Sequence, residues 1–173
     1  MKAIDYSGDM NPFLEQYDYQ PTLTGKLDNM DSLDLTQQSI NEIVLWKVDR
    51  YVEASSELLS ELNTLRTLPA GEHRQCVKIL PSLLNTRGVD LPMASTLLRF
   101  RNPRVFQIID RHAYRAIYGV NYPLYAASPA NRKIDVYFDY LDKLIELCSH
   151  RGLSFQSIDR LLYIFDKNEN GKL

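Results

Sequence analysis

The chain of 173 residues is short of cysteine and histidine and has no long apolar run, and each shortage removes a class of protein. Two cysteines, Cys76 and Cys148, cannot frame a disulfide-stapled mini-domain or supply the four thiolates of an iron–sulfur cluster, so free thiols in a reducing compartment are expected. His73, His112 and His150 show no metal-ligand spacing, and no metal site is expected. No basic segment followed by an apolar run comes after Met1, and no stretch of about eighteen apolar residues occurs. Neither secretion nor membrane insertion is indicated, and a cytoplasmic location follows as the expectation.

What is present suits a globule: 45% of residues are hydrophobic, enough to bury a core in one domain or two closely packed lobes. No window alternates apolar and polar residues for long, so an all-α fold is predicted. Ser39 and Glu42 have capping-box spacing ahead of a stripe of Ile40, Ile43, Val44, Val48 and Val52. Ser55 or Ser56 caps a second helix carrying Leu58, Leu59, Leu62 and Leu65. After the Pro69-Ala70-Gly71 break, a third helix runs to about Asn85, kinked by Pro81. A helix from Pro92 to Phe100 is followed by an Asn102-Pro103 loop and a helix from about Asp110 to Tyr118, closed by Gly119. Asn121 to Lys133 reads as a long surface loop. Two closing helices carry Tyr137, Leu141, Leu144, Ile145 and Cys148, then Ile158, Leu161, Leu162 and Phe165. Residues 1–35 lack periodicity and are expected to form an irregular amino-terminal arm, leaving 36–173 as a single helical domain.

The net charge of −2 conceals a polarity. The arm holds Asp5, Asp9, Glu15, Asp18, Asp28, Asp31 and Asp34 against Lys2 and Lys26, whereas residues 66–115 hold Arg66, Arg74, Lys78, Arg87, Arg99, Arg101, Arg104, Arg111 and Arg115 against Glu72, Asp90 and Asp110. A basic half suits a polyanionic partner, since neutralised phosphates release counterions; the other reading is a solvated arginine-rich face.

Within that half, Gly88-Val89 opens a tight turn, Pro92 starts a helix containing Ala94-Ser95, and Ile109-Asp110-Arg111-His112-Ala113 follows one helix later. This unit resembles the helix-hairpin-helix DNA glycosylase superfamily (endonuclease III-like), whose pattern is a glycine hairpin, a small-residue helix and a lone Asp opening the next helix. It looks closest to a small bacterial branch with a Trp-Lys-x-x-Arg helix, matched by Trp46-Lys47-Val48-Asp49-Arg50, and a closing helix matched by Asp159 to Asp166. The resemblance spans roughly residues 36–166. Two positions depart from the pattern: Asp90 replaces the second hairpin glycine, bringing negative charge to where a phosphate would sit, and Pro92 replaces the nucleophilic Lys of the lyase-type enzymes.

The resemblance implies a helix-hairpin-helix glycosylase-like bundle and a monofunctional DNA glycosylase without lyase activity, acting on a modified base as in base excision repair. Asp110 would be the catalytic carboxylate, stabilising charge on the sugar of a flipped-out nucleotide and positioning water. On local sequence alone Asp110 reads as an N-cap for the following helix; the hairpin upstream is what points to catalysis, and the two roles are not exclusive. The hairpin of Arg87, Gly88 and Val89 would hold a DNA phosphate, with a monovalent cation on its carbonyls as the family implies; its alternative is a helix connection needing a left-handed Gly88. Arg99 and Arg101, and nearer the pocket Arg111 and Arg115, would complete the basic contacts. Trp46 falls nearly opposite its helix's apolar stripe and would stack on an extruded base, with Lys47 reaching Asp110; ordinary packing is the alternative for Trp46. His112, two residues beyond Asp110, reads as a structural hydrogen-bonder. Asp166 to Gly171 copies half of a calcium loop but lacks the closing Glu, so it reads as a helix end. No cofactor is implied. The alternative to an enzyme is a non-catalytic helix-hairpin-helix module binding nucleic acid or protein; a third class is an interaction protein using the acidic arm.

Overall fold

A computed structural model describes residues 9, 20–29, 36–48 and 51–172, and it is all-α: eight α-helices and no strand among the described residues. The chain divides into two compact units, Met1–Tyr51 and Val52–Leu173. Arg50 and most of the acidic residues of the arm lie outside the described residues.

In the first unit, α1 (Pro21–Asp28) and α2 (Gln37–Lys47) pack on each other. Pro21 sits in the first turn, where its missing N–H costs no hydrogen bond. The expected irregular arm therefore contains a helix, and the break between units falls after Tyr51, not at residue 35. The cap of α2 also differs from expectation: Thr36, not Ser39, is the N-cap, and Ser39 is the residue that closes the capping box. Glu42 is left to pair with Lys26 at 2.6 Å. The stripe of Ile40, Ile43, Val44 and Val48 is 40–54% exposed, so amphipathic spacing marked a face but not its burial.

The second unit begins with α3 (Ser56–Thr64), capped by the Ser55 hydroxyl, which accepts the Leu58 N–H. Turns of 3-10 helix at Leu65–Thr67 and His73–Lys78 lead into α4 (Ile79–Asn85). Pro81 produces no kink there, because α4 starts only two residues earlier and the N–H that proline lacks falls in the unpaired first turn. The chain continues through α5 (Leu91–Arg101), α6 (Arg111–Tyr118), α7 (Ala130–Arg151) and α8 (Ile158–Glu169). Gly119 and Gly152 end α6 and α7 in the left-handed region, at φ +68° and +64°.

The core is centred on α7, whose Tyr137, Tyr140, Leu141 and Leu144 are fully buried against Leu80, Leu83, Leu91, Leu98, Phe106, Ile109 and Ile158. Of the expected apolar face of α8, Ile158 and Leu162 are buried, whereas Leu161 and Phe165 are about half exposed; Asp159 and Asp166 take the buried positions instead. The 119–129 segment is anchored by buried Leu124 and Ser128, the latter accepting the Tyr125 N–H. Cys76 is buried, and burial pushes its thiol up to about 12, so it stays protonated and unreactive.

The loop at Asn102 is a structural hub. The buried Asn102 amide donates to the carbonyls of Leu65 (2.9 Å) and Leu68 (3.0 Å), and its Oδ1 accepts the Arg104 N–H. Asn102→Ala leaves both carbonyls buried without donors, and is expected to lower unfolding free energy by about 2–3 kcal/mol in urea titrations. A loss under about 0.5 kcal/mol would show that water reaches those carbonyls.

Candidate functional site

Two helix ends and a cleft make up the site. The first is the hairpin between α4 and α5. Gly88 adopts φ +80°, which glycine alone reaches without strain, and the Val89 N–H closes the turn on the Thr86 carbonyl at 3.0 Å. Val89 turns inward and is buried. Asp90 is extended at φ −107° and caps α5, so the substitution of a glycine carries no left-handed strain. Its Oδ1 accepts the Leu91 N–H at 2.7 Å and also the Nζ of Lys133 at 2.7 Å. Lys133, on the first turn of α7, is buried and donates in addition to the Ala126 carbonyl at 2.8 Å.

The second helix end carries Asp110. Small residues on α5 create its position: Ala94 and Ser95 are fully buried, which lets the 105–109 segment lie close against the helix. The Ser95 hydroxyl donates to the Pro92 carbonyl and accepts the Ile109 N–H at 3.2 Å. From the other side, Tyr137 and Tyr140 donate to the carbonyls of Gln107 (3.0 Å) and Ile108 (2.9 Å). Asp110 is thus delivered by a strap held on both faces. Its Oδ1 accepts the Ala113 N–H at 2.7 Å and caps α6; its Oδ2 has no protein partner among the described residues.

Half-buried Asp110 lines an open cleft of about 240 Å³ with Ile108, Asp159, Arg160, Tyr163 and Ile164. Asp159 is 4% exposed; one oxygen accepts the Arg160 N–H and the other lies 3.5 Å from Arg99 Nε. The cleft has a carboxylate at its edge, a second beneath it, an arginine and an aromatic ring. That set can hold a polar ring and a water beside an ionised carboxylate.

The chain matches no family model, no curated protein and no solved structure.

The expected basic residues divide into two groups. Arg87 and Arg111 are exposed. Arg99 is buried, donating to the Gln156 carbonyl and facing Asp159, so it is an internal counter-ion with no guanidinium offered to a phosphate. Arg115 is likewise spent: its Nε and Nη2 reach the fully buried Asp166 at 2.9 and 2.8 Å. Arg101 is half-buried and donates to the Asn63 carbonyl. Trp46 and Lys47 belong to the other compact unit, where the half-buried Trp46 indole donates to Thr24 Oγ1 at 2.9 Å and Lys47 is exposed. His112 is the structural hydrogen-bonder expected, with Nδ1 2.7 Å from Asp166. Since Arg115 keeps Asp166 ionised, His112 donates from Nδ1.

Lys133, Asp159, Arg160 and Tyr163 carry no role in the sequence reading. Each reaches the site through packing of α7 or α8 against distant segments; Asp159, Arg160 and Tyr163 lie in the closing-helix match, which marks the helix but not the cleft it lines.

Proposed function

We propose that the chain is a monofunctional DNA glycosylase that hydrolyses the N-glycosidic bond of a modified base in the cytoplasm, with Asp110 as its catalytic carboxylate. The observation that carries the reading is a partly unpartnered Asp110 at the rim of a cleft, one helix beyond a left-handed glycine hairpin. In the step envisaged, the bond from C1′ to the base nitrogen breaks and its electron pair leaves with the base. Asp110 stabilises the resulting positive charge on the sugar, water adds to C1′, and its proton passes to solvent or the departing base. Tyr163, 37% exposed, lines the cleft with its ring already under Lys167 Nζ at 5.0 Å and edge-to-face with His112, and Arg160 adds an exposed cation to the same lining. No Schiff-base chemistry is expected from the hairpin, because Pro92 has no amine.

A second reading rests on the other half of the same carboxylate. Asp110 Oδ1 is committed to the Ala113 N–H, as a purely structural cap would be, and this favours a non-catalytic module that binds nucleic acid or protein.

The two separate on a panel of duplexes carrying damaged or modified bases. The enzyme releases one class of base and leaves sites cleaved only after alkali. A module releases none, yet binds duplex with an affinity that falls steeply with salt. Absence of both base release and salt-dependent duplex binding overturns the enzyme and the nucleic-acid module together and leaves a protein-binding module.

A further inference from the structure

Asp90 should repel the phosphate that a hairpin of this kind would meet, and the fold places one specific cation against it. Lys133 Nζ lies 2.7 Å from Asp90 Oδ1, with the lysine side chain 9% and the aspartate 43% exposed. The lysine is also pinned by the Ala126 carbonyl at 2.8 Å, so its charge is held in one place. This differs from a surface ion pair, whose partners drift apart at little cost.

The hairpin has few backbone donors to offset an uncompensated carboxylate. The Val89 N–H is used by Thr86, the Leu91 N–H by Asp90 itself, and Pro92 has none. The Gly88 and Asp90 N–H groups have no acceptor among the described residues, and the charge at Asp90 sets whether an anion can approach them.

We infer that Lys133 is a positioning residue that neutralises Asp90 and so makes this hairpin acceptable to a phosphodiester. The inference rests on the reading that the hairpin meets nucleic-acid phosphate. It assigns the pair a role beyond stability: the more exposed partner is the acid, and the buried lysine sets the local field that an approaching phosphate meets.

The test is anisotropy of a fluorescein-labelled duplex with wild type, Asp90→Asn, Lys133→Met and the double variant, between about 50 and 200 mM salt. Lys133→Met leaves Asp90 uncompensated and is expected to weaken binding about tenfold at low salt. Adding Asp90→Asn removes the exposed acid and restores affinity to within about threefold of wild type, a rescue that lost packing around Lys133 would not show. Asp90→Asn alone keeps an N-cap and leaves Lys133 unopposed, so it tightens binding severalfold and steepens the salt dependence by about one charge. Should Lys133→Met fail to fold, Lys133→Gln, which can still donate a hydrogen bond but carries no charge, takes its place, with the same loss and the same rescue by Asp90→Asn expected. Wild-type binding that none of the substitutions alters overturns the role of the pair alone. Absence of wild-type binding at every salt overturns the phosphate reading and the inference with it.

Discussion

Asp110→Asn is expected to abolish base release, by a factor of about a thousand or more, while leaving the protein folded and bound to DNA. An amide has no net charge with which to stabilise a developing cation on the sugar, and a positioned ionic or proton-transfer group contributes about 10²–10⁴-fold. Asn caps a helix about as well as Asp, so the Ala113 N–H keeps its acceptor and the melting temperature moves little. Asp110→Ala separates the two roles. It loses the same activity and, in addition, about 1 kcal/mol of stability from the missing cap. Single-turnover release on the responsive duplex, with thermal melts of the three proteins, makes the comparison. If Asp110→Asn released the base at a rate within tenfold of wild type, the carboxylate would be a cap and nothing more.

The largest expected effect on stability comes from Asp166→Ala, at about 3–5 kcal/mol, the range for breaking a buried pair from one side. Fully buried Asp166 accepts from Arg115 through Nε and Nη2, from His112 Nδ1 at 2.7 Å and from Asn170 Nδ2 at 2.7 Å, and so ties α6 to α8. Removing it leaves the Arg115 guanidinium, which also donates to the Gly171 carbonyl, with its charge unanswered. The Arg115 hydrogen bonds hold the Asp166 carboxyl well below the usual carboxylate range, against the opposing effect of burial. A carboxyl depressed in the folded state stabilises the fold fully above its unfolded value of about 4, and loses that contribution as pH falls from about 5 downward. Urea unfolding of wild type should therefore weaken through that range, and Asp166→Asn should show a flatter acid limb. A variant that cost less than about 1 kcal/mol at pH 7 would mean that Arg115 finds solvent without its partner.

The division between what was legible and what was not follows the range of the forces. Helix starts and stops are local chemistry, so Ser55, Asp110, Gly119, the Gly88 turn and the helix through Ala94 and Ser95 all stand where the sequence predicts them. Even the errors are local: Thr36 took the cap expected at Ser39, because both have the right side chain within one turn. Arg99 and Arg115 could not be sorted from Arg87 and Arg111 by sequence, because their acids, Asp159 and Asp166, arrive on α8 from far along the chain.

By itself the sequence determined an all-α chain, a left-handed hairpin and an aspartate opening a helix, since backbone geometry and capping are decided within a few residues. Tertiary structure alone decided which apolar faces are buried, which arginines are consumed, and that Lys133 answers Asp90 while Asp159, Arg160 and Tyr163 gather around Asp110. Periodicity tells a helix which face differs from the rest, but only packing between distant segments supplies what that face meets.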